Sequence, residues 1–145
     1  MRISMKSEYG LRAMMELAST YGARPLQTAD IAARRSIPES YLEQLLTTLR
    51  KAGLVASTRG PQGGHALAVH ASTITAGDVV RALEGPVIVM DGLEVGVSGQ
   101  APSTTPLRDL WGRVRSAIDA VLDGVTVEEL AARQAAVEGS INYSI

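Results

Sequence analysis

The sequence predicts a mainly α-helical chain with one small β-hairpin, closing on a long amphipathic helix. Three observations predict it. Apolar residues recur at three- and four-residue steps through most of the chain. The period switches to alternation only once, on either side of a Gly-rich stretch at 60–64. Phe is absent and aromatics make up 3% of the 145 residues, so Ala, Leu and Val carry the core, which suits closely packed helices.

The first helix is predicted over 6–21, where Gly10, Ala13, Met14, Leu17, Ala18 and Tyr21 share one face. Gly22 and Pro25 end it. Thr28 is the expected N-cap of a short helix over 29–35, with Asp30 facing the helix dipole and Ile31 and Ala32 inward. Ser36, Ile37 and Pro38 form a tight connection. Pro38 suits the first position of the next helix, where its missing N–H would be unpaired anyway. That helix is predicted over 38–52, with Tyr41, Leu42, Leu45, Leu46 and Leu49 inward and Gly53 as its C′ residue. Strands are predicted at 54–59 and 65–69, around the loop 60–64. Thr75 and Asp78 read as a capping box opening a helix through Leu83, which Gly85 and Pro86 stop. Residues 86–105 read as a loop with at most one short strand, at 87–90. From Pro106 a strong helix carries the wide apolar stripe Leu107, Leu110, Trp111, Val114, Ile118, Val121, Leu122 and Val125. Thr126 and Glu129 read as a second capping box, restarting a helix to about Val137, and 139–145 reads as a fraying tail.

Composition excludes several function classes. The chain has no Cys, so it forms no disulfide and offers no thiolate for zinc, an iron–sulfur cluster or nucleophilic catalysis. It has two histidines, His65 and His70, which argues against a multi-histidine metal site within one chain. No nucleophile–base set or phosphate-binding loop appears, so an enzyme is not expected, nor is a cofactor. Glu8, Glu16 and Asp30 read as helix-surface charges. The start has no apolar signal core and no run reaches membrane-spanning length, so a cytoplasmic protein without membrane contact is expected. A chain of 145 residues can bury about 70% of its unfolded surface and needs no metal or disulfide to fold.

The net charge of −1 conceals an asymmetry. Residues 1–70 hold nine Lys/Arg and five Asp/Glu, a net of +4, and residues 71–145 hold five and ten, a net of −5. Chance in a small sample is one reading. A basic working half with an acidic remainder is the other.

Two short helices joined by a tight turn, then a Gly-rich hairpin, make a winged helix-turn-helix. A helix of about 12 Å diameter matches the DNA major groove. The second helix of the pair is the reading helix, and its outer face presents Ser40, Glu43, Gln44, Thr47 and Thr48. Gln can pair with adenine, Glu can accept from cytosine N4, and Ser or Thr can reach bases or phosphates. Arg50 and Lys51 suit phosphate contact at the helix end. The wing, 57–65, adds Thr58, Arg59, Gly60, Gln62, Gly63 and Gly64. An Arg at a narrow wing tip can enter the minor groove, and glycines permit close backbone approach with N–H groups free for phosphate. A polar helix face is also what any solvated helix shows, and a Gly-rich hairpin with one Arg is often only a hairpin. The order of the elements favours DNA. His65 reads as packing beside the wing or meeting a phosphate, and His70 as a solvated loop residue.

The quoted residues carry a resemblance. Met1-Arg2-Ile3-Ser4, Tyr9-Gly10-Leu11-Arg12-Ala13-Met14 and Ala29-Asp30-Ile31-Ala32 open it. Ile37-Pro38-Glu39-Ser40-Tyr41-Leu42-Glu43-Gln44-Leu45-Leu46 and Leu49-Arg50-Lys51-Ala52-Gly53-Leu54-Val55 continue it, and Arg59-Gly60-Pro61-Gln62-Gly63-Gly64-His65 completes the wing. Together they resemble the Rrf2 family of bacterial winged-helix regulators over about 1–137. The resemblance implies a homodimeric transcription factor, usually a repressor. It implies that Glu43, Gln44 and Arg59 sit at DNA-contact positions and that the helix carrying Leu107, Leu110, Trp111, Val114, Ile118, Val121 and Leu122 pairs with its partner's copy. Two-fold symmetry then predicts a pseudo-palindromic double-stranded operator.

The chain departs from the family at the sensor. Cluster-binding members place three cysteines between the fourth helix and the dimer helix, and here about 90–108 has none. Thr105 and Arg108 stand near where a cysteine and a histidine ligand would fall, and Glu8 where some members use a carboxylate. The resemblance therefore points to the cluster-free members, which respond through a protein partner. The expected organisation is a DNA-binding domain at 1–84, a connecting loop at 85–105 (the sensor region in relatives), dimerisation helices at 106–138 and a tail at 139–145. A small-molecule or protein effector acting at the loop is one reading, and a loop that senses nothing is the other. The alternative function is a protein-interaction module on the same scaffold.

Overall fold

The computed structural model describes residues 3–86 and 105–143. Among these residues the order is α1 (Met5–Ser19), α2 (Thr28–Arg35), α3 (Glu39–Lys51), β1 (Val55–Thr58), β2 (Gly64–Leu67), a 3-10 turn (Ala71–Thr73), α4 (Ala76–Glu84), α5 (Thr105–Asp123) and α6 (Val127–Tyr143). The fold is mainly helical with one antiparallel hairpin, as the two periodicities require. The expected loop over 86–105, including 87–90, lies outside the described residues apart from its two ends.

One core joins the helices and the hairpin. Ala13, Met14 and Leu17 of α1 meet Ile31 of α2, Leu42, Leu46 and Leu49 of α3, Val55 and Leu67 of the hairpin, Val79 of α4 and Val127 of α6. Fully burying a Leu or Ile is worth about 1.5–3 kcal/mol, so the buried leucines of α3 fix which face it turns outward. Tyr41 is half-buried and meets Tyr9 edge-on at 5.7 Å. Gly10 lets α4 close on α1, because a Cβ there would run into Leu83.

Several local signals act as written. Gly53 takes φ +81°, and the N–H groups of Gly53 and Leu54 reach back to the carbonyls of Arg50 and Leu49, a Schellman stop for α3. Thr75 and Asp78 form a reciprocal capping box on α4. Ser36, at φ 55°, makes the turn between α2 and α3.

Other expectations are corrected. The N-cap of α2 is Gln27, and Thr28 is inside the helix and buried. Pro38 is the N-cap of α3, one position earlier than expected. Tyr21 lies beyond the end of α1 and is exposed. The strands are shorter than the alternating runs, with Val55 opposite Leu67 and Thr58 opposite Gly64. On α6 Thr126 accepts from the Glu129 N–H, but the Glu129 carboxylate pairs with Arg133 at 2.8 Å. Nor does α6 stop near Val137: it continues through Gly139 to Tyr143. Glu16 is no surface charge. It is 4% exposed, and its carboxylate binds Arg34 at 3.0 Å and Arg35 at 2.6 Å, while Arg35 also reaches Glu138 of α6 at 2.7 Å.

Candidate nucleic-acid interface

Because Leu42, Leu45, Leu46 and Leu49 point into the core, the opposite face of α3 is left to solvent. Ser40, Glu43, Gln44, Thr48, Arg50 and Lys51 are exposed on it, and Thr47 is half-buried. The hydroxyls of Thr47 and Thr48 donate to the carbonyls of Glu43 and Gln44, at 2.9 and 3.1 Å. They therefore present methyl groups and acceptor lone pairs outward, while Ser40, Glu43 and Gln44 keep side chains suited to base edges.

The hairpin follows α3 and packs against it through β1. Thr58, Arg59, Gly60, Pro61 and Gln62 are exposed at its tip. Gly60 at φ +100° opens a turn closed by the Gly63 N–H donating to the Gly60 carbonyl at 2.9 Å, with Pro61 at the second turn position. The Gly63 N–H is thus occupied within the turn, and Gly63 is buried. A Cβ on Gly63 would run into the Thr58 carbonyl, and one on Gly64 would come within 2.5 Å of the Leu26 carbonyl oxygen. These two glycines serve close backbone approach.

His65 packs beside the wing with both ring nitrogens engaged: Nδ1 with the Ser57 hydroxyl at 2.7 Å and Nε2 with the Thr28 hydroxyl at 3.0 Å. Burial holds its pKa below the ordinary value; Glu43 pushes the other way and Arg50 adds to the lowering.

Some of the cations are held by carboxylates and some are not; Arg115 is held by Asp119 at 3.9 Å, while Lys6, Arg24, Arg108 and Arg113 have no carboxylate within ion-pair distance among the described residues. Arg12, Arg34, Arg35, Arg81 and Arg133 are paired with carboxylates. Arg50, Lys51 and Arg59, on α3 and the wing, have no carboxylate within ion-pair distance among the described residues. Arg34 and Arg35 are drawn to Glu16 and do not join that set.

On α5 the stripe is open. Leu107, Leu110, Trp111, Val114 and Val121 are exposed, and Ile118 and Leu122 are half-buried. The whole circumference of α5 over 106–117 is exposed. Its far end is held to α4 by Arg81, which reaches Asp119 at 3.6 Å and Asp123 at 2.5 Å.

Sequence reasoning did not single out Gln27, and it gave Thr28 and Glu16 other roles, an N-cap and a surface charge. Their partners lie 36, 37 and 18–19 residues away, and nothing in the local pattern announces them.

A helix-turn-helix whose second helix turns a polar face outward beside a hairpin defines a DNA-binding transcriptional regulator. The comparisons with known proteins agree. The profile of the family described as "Rrf2: Iron-dependent Transcriptional regulator" matches residues 3–133, and the chain belongs to that family. It is 45% identical over 131 residues to the transcriptional regulator CymR of Bacillus subtilis, covering 90% of each chain. It is 37% identical over 147 residues to the regulator IscR of Vibrio vulnificus, covering 100% of this chain and 86% of that one. The solved structure of the global cysteine regulator CymR of B. subtilis superposes with a TM-score of 0.76 at 44% identity, covering 92% of this chain and 98% of that one. The family and these relatives are transcriptional regulators rather than enzymes.

The donor set does not fit the iron chemistry in the family's description. The chain has no cysteine. Glu8 pairs with Arg12 at 3.0 Å. Among the described residues no group of three or more His, Cys, Asp or Glu is placed to hold a metal ion. No helix among them is long and apolar enough to cross a membrane.

Proposed function

We propose that this regulator is a homodimeric, sequence-specific repressor that works without an iron–sulfur cluster. It reads a pseudo-palindromic operator with α3 in the major groove and sets the wing, 57–65, in the minor groove or along the backbone. Ser40, Glu43 and Gln44 face base edges, Thr47 and Thr48 offer methyl and acceptor contacts, and Arg50 and Lys51 meet phosphates. Thr58, Arg59, Gly60 and Gln62 form the wing's contact edge. The observation that carries this reading is that Arg50, Lys51 and Arg59, on α3 and the wing, have no carboxylate within ion-pair distance among the described residues.

The apolar stripe of α5 supports dimerisation. Among the described residues that stripe is uncovered, and a second copy would bring an identical stripe to meet it. The test is fluorescence anisotropy on a duplex enriched from a randomised pool, with a scrambled duplex beside it at several salt concentrations. Three cations per protomer predict a log–log salt slope of about −5 for the dimer. A flat response, or equal affinity for the scrambled duplex, would refute the reading.

A further inference from the structure

The hairpin is too small to hold its own direction. Its strands have four residues each, and such a ribbon is marginal alone. Val55 and Leu67 at its base reach the core, while Ala56, Ser57 and Thr58 are exposed. Arg59 lies beyond them. Something other than core packing must therefore fix where Arg59 sits relative to α3.

The segment leading into α2 supplies it. Leu26 and His65 exchange backbone hydrogen bonds, Leu26 N–H to His65 carbonyl at 2.9 Å and His65 N–H to Leu26 carbonyl at 2.7 Å. Gln27 Nε2 donates to the Gly63 carbonyl at 2.6 Å. His65 bridges Thr28 on α2 to Ser57 on β1. The wing is thus tied to the N-terminus of the first helix of the helix-turn-helix, and Gly63 and Gly64 let the two backbones meet.

We propose that Gln27, Thr28 and His65 are positioning residues that clasp the wing to α2, so that the contribution of Arg59 to DNA binding depends on them. The proposal rests on the DNA-binding reading above. It fixes the wing to the first helix of the helix-turn-helix, against which the reading helix α3 packs. A ribbon that swings freely loses part of the binding free energy of Arg59 to ordering on contact.

The test is a double-mutant cycle on the full chain with the enriched duplex. His65→Ala is expected to weaken binding about tenfold when Arg59 is present, and less than about twofold when Arg59 is already Ala. Thr28→Val, close in shape, and Gln27→Ala, at the surface, should show the same coupling more weakly. Hydrogen exchange on the free protein gives a reading independent of DNA. The hydrogen-bonded amides of Gly63 and His65 should exchange faster in each variant, and those of α3 should not. Equal losses with and without Arg59, or unchanged exchange at the wing, overturn the clasp while leaving the regulator reading intact. A wild-type chain that prefers no duplex, or an Arg59→Ala variant that binds as wild type, overturns the DNA reading of the wing and the proposal with it.

Discussion

Trp111→Ala should split the proposed dimer without unfolding the protomer. Trp111 is 38% exposed on the open face of α5. A Trp side chain offers up to about 250 Å², so about 95 Å² is left for a partner to cover, worth ~2.4 kcal/mol at ~25 cal/mol per Å². A two-fold axis counts the loss twice, giving ~5 kcal/mol, or between three and four decades in the dimer Kd. Alanine keeps its Cβ and the facing side chains close part of the gap, so the expected loss is about a hundredfold to a thousandfold. Sedimentation velocity over a protein concentration series reads it, with far-UV circular dichroism confirming the helices. The contact is apolar, so added salt should not reproduce the effect. A shift below about threefold, or a wild-type chain that stays monomeric throughout the series, would refute the reasoning from exposure to association.

Arg59→Ala should weaken binding to the enriched duplex by at least ~1 kcal/mol at an unchanged melting temperature, and anisotropy beside thermal unfolding checks both halves. Glu16→Gln should cost about 2–3 kcal/mol in chemical denaturation, because Arg34 and Arg35 lose a buried carboxylate while Arg35 retains Glu138; a cost under ~1 kcal/mol would show the network to be replaceable by water. The lowered pKa of His65 means that the unfolded chain takes up its proton first as the pH falls from the ordinary value of 6.5. Stability should therefore decline below pH 6.5 until the folded value is reached, and His65→Gln should flatten that decline. The depressed carboxylates such as Glu84 lose their contribution only below about pH 4.5, where a separate fall is expected.

What the sequence made legible was whatever one element decides by itself. The leucines of α3 declared its inner face, so its outer face followed. Gly53 and the Thr75–Asp78 box marked ends that depend only on neighbouring backbone. Thr28 looked like a cap for a sound local reason, a hydroxyl ahead of a helical run with Asp30 in the first turn. What moved it was His65, 37 residues later, whose ring needs that hydroxyl. Glu16 sits at a helix position that a local pattern reads as surface. It is buried because α2 delivers Arg34 and Arg35 against it. Past Val137, where the apolar period fades, α6 meets Arg35 through Glu138 and runs on to Tyr143. The errors at Thr28 and Glu16 fall where a polar side chain answers another element.

The same distinction governs the charge. A net of +4 over the first seventy residues suggested a basic half, but the total is a poor guide to what DNA meets. Arg12 is cancelled by Glu8, and Arg34 and Arg35 by Glu16, so these cations hold the fold together. Lys6 and Arg24 lie on the first turn of α1 and in the loop before α2. What remains on α3 and the wing is Arg50, Lys51 and Arg59, and counterion release responds to phosphates neutralised rather than to total charge. Lys51→Gln should therefore make the salt slope shallower by about two for a dimer, weakening enriched and scrambled duplexes alike. Glu8→Gln raises the net charge by the same unit that Lys51→Gln removes, yet it should leave the slope within about half a unit of wild type. If the two variants move the slope by equal and opposite amounts, the protein's overall charge rather than the α3 and wing face sets its hold on DNA.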